Sequence, residues 1–348
     1  MPTRPSTFAA IGLAAAALLV PAAAAATLPT TAQPAAGQTT AQPAAQPEAA
    51  NKELAKRPPH KPTRTPSPTS SQTQPPTPSP TPTPTTSTST AHFTVNLAGA
   101  YAAAHSAGFT VFDVSGSTSN PAGVKTKLDA LPSGTHAMIW VGNLGKADGA
   151  EGFSRAQFKA QVDALAQDPR VFGYFIADEP HPILFPTVVG EIAARADYVR
   201  AVAPTQKSFI VVLDGSKYCN GSLGCEYAAL APSKTHVDVL GVDSYPCHLG
   251  APCDFTKIPE RVNAAVKAGV PRSQIAPVYQ AFGQEGGTNP YYRTPTATEL
   301  TTMLSTWKAN VPSPVLDYAY TWGTQSSSTQ ALSNHPELQA VVKVHNNS

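Results

Sequence analysis

The chain is poor in charge. Its 348 residues carry 24 Lys and Arg against 22 Asp and Glu, a formal net charge of +2. So small a balance argues against nucleic acid as a main partner. The basic residues gather in NKELAKRPPHKPTR (51–64), and no basic stripe with interleaved aromatics runs through the rest. No G-x-G-x-x-G follows a strand-like run and no P-loop is present, which removes the usual dinucleotide and nucleotide-phosphate cradles. C-x-x-C spacing is missing, and the first strand-like run, FTVNLAG, is not followed by H-x-H. A metal-dependent hydrolase would have to rest on Asp178, His181, Asp243 and His248, a minor alternative; no metal or other cofactor is expected.

What is present begins with a leader. Arg4, the apolar run FAAIGLAAAALLV and the small residues PAAAAA make residues 1–26 a secretory signal cleaved near Ala24 to Ala26. Pro21 interrupts the run and leaves it short for a membrane span, so no stable insertion is expected. Export gives the four cysteines a meaning, because an even number in an oxidising compartment reads as disulfides. Four cysteines allow three pairings, and Cys219–Cys225 with Cys247–Cys253 is favoured because each bridge closes a short loop. Residues 27–90 hold almost no large apolar side chains. Their Pro, Thr, Ser and Ala cannot bury enough surface to fold, so they read as a disordered, extended spacer that could hold a domain away from a cell envelope.

From residue 91 to 348 the texture changes to one α/β domain. Strand-like runs at 93–97, 110–115, 136–142, 171–177, 208–214, 237–244, 275–282 and 316–322 alternate with amphipathic segments. Ser154 with Gln157, and Thr296 with Glu299, have capping-box spacing. Phe158, Val162 and Leu165 form one helical stripe and Leu300, Leu304 and Trp307 another, which makes Trp307 a packing residue. Eight apolar strands, each followed by a helix, predict a (β/α)8 TIM barrel. Chemistry then belongs to the carboxyl-terminal strand ends. Those ends offer Asp113, Asn143, Asp178 with Glu179, Asp214, Asp243 with Tyr245, Gln280 and Trp322, with Trp140 just before Asn143. Each has a plainer reading too: Asp113 and Asp214 as caps of the helices that follow, Gln280 as an interior hydrogen-bonder, and Trp322 as a closure of the barrel end. Both cysteine pairs fall in loops on this face, where they would preorganise a cleft.

The fourth strand ends GYFIADEPHP, with Asp178, Glu179 and Pro180 in succession. Here the chain resembles the large clan of barrel glycoside hydrolases that carry Asn-Glu-Pro at this place, with Asp178 in the position of the Asn. The resemblance implies that Glu179 is the general acid/base. It also implies a nucleophilic Glu on the seventh strand, where VYQAFGQEGG offers Gln280, an amide, and then Glu285 five residues on. The Asp-Glu pair is also similar to that of barrel hexosaminidases that use the sugar's own acetamido group, with Asp178 then orienting that group.

The expected function is that of a secreted, monomeric glycoside hydrolase acting on an extracellular or cell-wall polysaccharide or oligosaccharide. Glu179, Asp178 and Asp243 would be catalytic. Asp113, Trp140, Asn143, Asp214, Tyr245, Gln280 and Trp322 would contact substrate. The alternative is a silent barrel that binds a glycan or an envelope protein. Because successive strand residues face opposite sides, Asp178 and Glu179 cannot flank one bond unless the strand has already turned or a partner comes from elsewhere.

Overall fold

The computed structural model describes residues 89–142, 144–145, 152–215, 219–285, 290–325 and 329–348. The leader, the spacer up to residue 88 and Asn143 lie outside the described residues.

Eight parallel strands close a barrel. They are β1 (Ala91–Thr94), β2 (Val111–Ser115), β3 (His136–Trp140), β4 (Val171–Asp178), β5 (Lys207–Val212), β6 (Val239–Ser244), β7 (Ile275–Gln280) and β9 (Leu316–Tyr320), with β9 pairing back onto β1. Around them lie α1 (Tyr101–Ser106), α2 (Val124–Leu128), α3 (Arg155–Leu165), α4 (Val188–Val202), α5 (Cys225–Leu230), α6 (Pro232–Thr235), α7 (Lys257–Lys267), α8 (Ala297–Asn310) and α9 (Pro336–Asn346). The (β/α)8 expectation therefore holds. Sequence reading misses the four-residue α6 and a two-stranded antiparallel pair, β8 (Phe282–Gly283) with β10 (Gln330–Ala331). Elements of two to four residues are too short to show a period.

Local chemistry starts the helices. Ser154 and Thr296 each accept from the backbone N–H three residues on, while Gln157 and Glu299 reach back to the cap N–H. Two orphan donors are thereby satisfied at each helix start, an effect of about 1 kcal/mol per cap. The apolar stripes then bury against the sheet: Phe158, Val162 and Leu165 from α3, and Leu300, Leu304 and Trp307 from α8.

Strand alternation sorts the remaining apolar residues into two cores. The outer faces of the strands, such as Phe112, Ile139, Tyr174 and Ile210, pack against the helices. The inner faces fill the barrel with Phe93, Phe175, Phe209 and Tyr318, whose rings lie 4.7 Å apart for Phe93–Tyr318 and 4.8 Å for Phe175–Phe209. The centre is thus a plug of aromatics, and only the mouth is left for a ligand. No helix among the described residues is long and apolar enough to cross a membrane.

Candidate active site

The end of β4 does not follow simple alternation. Phe175 points into the barrel, so a regular strand would turn Ala177 inward and Asp178 outward. Pairing with β5 slips instead: Phe175 is opposite Phe209 and Ala177 is opposite Ile210, leaving Ile176 as an inserted residue. Ile176 and Ala177 both pack into the outer core, and Asp178 comes round to the mouth. Glu179 follows at φ +48°, in the left-handed region, while its N–H still donates to the Val211 carbonyl at 3.0 Å. The strand has turned at that residue, so both side chains line one cleft. Gly142 accommodates the bulge from β3. A Cβ there would lie 2.1 Å from the Ile176 carbonyl oxygen, so only glycine fits.

The cleft encloses about 360 Å³ at the carboxyl-terminal mouth. Asp178 and Glu179 form one wall, with Val211 and Leu213 beside them; Tyr245, Phe282, Tyr292, Tyr318 and Tyr320 bring aromatic surface, and Gln284 and Gln325 add amides. Phe282 stands nearly perpendicular to both Tyr245 and Tyr320, at 5.1 and 5.0 Å between centroids. Tyr292 meets Tyr245 edge-on at 5.6 Å. Edge-to-face pairs hold such rings in fixed orientations, giving the cleft firm walls. The Tyr320–Thr321 peptide at this end of β9 is cis.

Beneath Glu179 lies Asp243 of β6, only 1 % exposed. Its pKa is raised well above the ordinary carboxyl range, first by burial and then by the Glu179 carboxylate against it, with Asp178 adding to the effect. Neither Asp243 oxygen makes a well-formed hydrogen bond. A neighbouring anion and burial both disfavour the charged form, so Asp243 keeps its proton to a higher pH than a solitary carboxyl would. Asp113 of β2 also turns inward. Burial raises its pKa to about 6, outweighing the backbone N–H groups of Asn96 and Leu97 that favour its anion. The buried Tyr318 phenol has its pKa raised, by burial first and then by charges that include Asp178, Asp243 and Asp113. Tyr318 thus lies within the electrostatic reach of three carboxyls.

Other residues expected at the rim go elsewhere. Asp214 accepts from the backbone N–H groups of Gly224, of Glu226 at 2.8 Å and of Tyr227 at 3.3 Å, anchoring the start of α5 and taking the capping role rather than a substrate contact. Gln280 is fully buried. It accepts from Cys247 N–H at 2.8 Å and donates to the carbonyls of Cys247, Phe282 and Arg293 at 3.0, 3.2 and 2.9 Å. Its amide ties two rim loops together and has no group left for a ligand. Trp322 is buried against Phe109 in the outer core. Trp140 packs edge-on against Phe175, at 4.6 Å, outside the cleft lining. Glu285 is exposed and accepts from Thr294 N–H at 2.6 Å, so it does not swing into the cleft.

The four-residue metal set is not assembled among the described residues. His181 pairs with Glu226 at 3.5 Å, and His248 lies against Tyr291 and Tyr292. Both expected disulfides are present, Cys219–Cys225 and Cys247–Cys253, in the loops after β5 and β6.

Sequence reasoning missed Phe282, Gln284, Tyr292, Tyr318, Tyr320 and Gln325. A signal existed for two of them: in LDYAYTW the tyrosines alternate with small or acidic residues, which places both on the inner face of the last barrel strand.

No protein-family model and no curated protein matches the sequence. Solved structures do match in fold. A catalytic mutant of a GH42 β-galactosidase from G. stearothermophilus superposes with a TM-score of 0.50 at 8% identity, over 74% of this chain and 56% of that one. A cold-adapted β-galactosidase from Rahnella sp. R3 gives 0.50 at 11% identity, over 74% and 55%. A GH128 endo-β-1,3-glucanase from Amycolatopsis mediterranei, in complex with laminaritriose, gives 0.45 at 16% identity, over 74% and 99%. The chain thus spans about half the length of the two β-galactosidases, and what it shares with them is the eight-stranded parallel barrel.

Proposed function

We propose that the chain is a glycan-acting barrel protein, a glycoside hydrolase with Glu179 as its general acid/base. One observation carries this reading: a buried carboxyl, Asp243, held against Glu179 in an aromatic-walled cleft at the carboxyl-terminal face. A general acid must hold a proton near neutral pH and must reach its substrate. Buried Asp243, whose pKa is raised, holds its proton beside Glu179, and Glu179 is the member that lines the cleft. Flat aromatic surface beside paired acids suits a sugar ring, whose C–H faces stack while its hydroxyls find amides and carboxylates.

Flanking carboxylates act about 5 Å apart in retaining glycosidases and about 6.5–9.5 Å apart in inverting ones. Asp243 is buried and does not line the cleft, so it serves as a buried partner behind Glu179 rather than as the second group that flanks the bond. Asp178 is the second group presented to substrate. With Gln280 committed to the rim loops, no carboxylate on β7 takes the nucleophile's place. That favours attack by the substrate's own acetamido group, with Asp178 opposing the positive charge that develops, and hence a glycan containing N-acetylhexosamine. The two disulfides and the leader support export; a single chain is the working unit.

The test is Glu179→Gln assayed on a panel of glycans. Hydrolysis should fall by roughly 10²–10⁴-fold, the usual weight of a general acid, while glycan binding persists. Full activity in this variant overturns the assignment. Binding without turnover by the unaltered protein identifies the silent barrel instead.

A further inference from the structure

At the opposite end of the barrel, three metal-ligating side chains converge. His92 is the second residue of β1 and Asp317 the second of β9, and the two are register partners across the seam where the barrel closes. Both point outward, since Phe93, Leu316 and Tyr318 fill the interior. The helix after β9 runs back along the strand, so the last turn of α9 delivers His345 to the same point. His92 Nδ1 lies 2.9 and 3.0 Å from the two Asp317 oxygens, and His345 Nε2 lies 2.8 Å from Oδ2. The donor atoms all fall within 4.8 Å of one another. His92 is 8 % exposed and Asp317 3 %.

Two imidazole N–H groups can satisfy Asp317 without any ion, so the cluster needs a second observation. It is the cavity beside it, about 380 Å³, which all three residues line. Tyr279 and Trp307 line the same cavity, and the Tyr279 hydroxyl and Trp307 indole N–H are buried without a hydrogen-bond partner. Buried polar groups are normally paired. A cavity beside the His-Asp-His cluster, with unpaired polar groups in its wall residues, points to a polar occupant of the cluster.

We propose that His92, Asp317 and His345 bind one zinc ion. Two nitrogens and one carboxylate oxygen are a donor set that Zn²⁺ takes readily, and three protein ligands leave a fourth position open. The cavity that all three ligands line leaves room for a water in that position. The ion joins the first strand, the last strand and the last helix. Its role is to lock the barrel closed, because a site that exists only in the folded chain adds its binding free energy to folding. Nothing in the glycan cleft depends on it.

The experiment uses the untagged full chain, stripped with a chelator and titrated with zinc alone. One equivalent should bind, with a saturable change in tryptophan fluorescence from Trp307. Zinc at about a hundred times its Kd should raise Tm by roughly 5–10 °C. His345→Gln removes a ligand from a helix end outside the barrel sheet and should keep the fold by circular dichroism. It should weaken zinc binding by at least ~100-fold, since changes behind the ligands alone reach that size. Less than half an equivalent bound at excess zinc, or unchanged affinity in His345→Gln, overturns the proposal and leaves the cluster as a hydrogen-bonded clamp.

Discussion

Glu179 occupies a left-handed backbone conformation that glycine adopts freely and glutamate does not. Such positions cost about 1–3 kcal/mol and persist where surrounding structure imposes them. Glu179→Gly should therefore stabilise the fold by about 1 kcal/mol in denaturant titrations while removing hydrolytic activity. Opposite signs for stability and activity are what a functional residue held under strain produces. Asp113 gives a test by pH. Its folded pKa, raised to about 6, means that its contribution to stability is fully present below about pH 4 and is lost as the pH rises through 6. Asp113→Asn escapes that loss. Relative to the unaltered chain it should gain up to about 3 kcal/mol at pH 7, with the gain fading below pH 4, measured by chemical denaturation at both values.

Among the elements, β4 and β7 divide what the sequence revealed from what it concealed. Asp178 and Glu179 are legible as candidates because paired acids end a buried strand, and Asp243 because a lone acid sits at the end of an apolar one. The inserted Ile176 is not legible: it looks like any apolar residue in GYFIADEP, and only pairing with β5 shows that it shifts the phase of the strand. Gln280 misleads for a different reason. An amide at the expected nucleophile position reads as a lost carboxylate, yet its four hydrogen bonds are made to backbone groups that come together only in the folded rim. Restoring the acid with Gln280→Glu should lower stability by about 2–3 kcal/mol, since a carboxylate would face three carbonyl oxygens. It should not raise turnover. Just after β3, Gly142→Ala should push the Ile176 carbonyl aside and reduce glycan hydrolysis more than thermal stability, read by comparing kcat/KM with Tm.

For the whole molecule, the fold was the most legible part, because eight buried strands alternate with amphipathic helices, two of which announce their starts with capping boxes. The aromatic lining was less so, since Phe282 comes from the two-residue β8 and Tyr292 from the loop after it, and tertiary contact fixes their rings. The rim is held by covalent and polar ties together. Cys247–Cys253 closes one loop, Gln280 bonds Cys247, and Arg293 forms a bidentate pair with Glu299 at 2.6 and 2.9 Å. Replacing both cysteines with alanine should cost about 2 kcal/mol by loop-closure entropy. Substrate affinity should fall more than that loss of stability accounts for, because Tyr245 sits two residues before Cys247.

The seam between β1 and β9 has a consequence in time. Residues that hydrogen-bond across it, such as Thr94 and Ala319, stand 225 positions apart in the chain. Strands at the start of the barrel emerge from synthesis long before their closing partner exists, and non-local pairings of this kind form late. The half-made sheet has two open edges until β9 arrives. A chain in that condition is still threadable, and it reaches its final shape only after its last strand has been made.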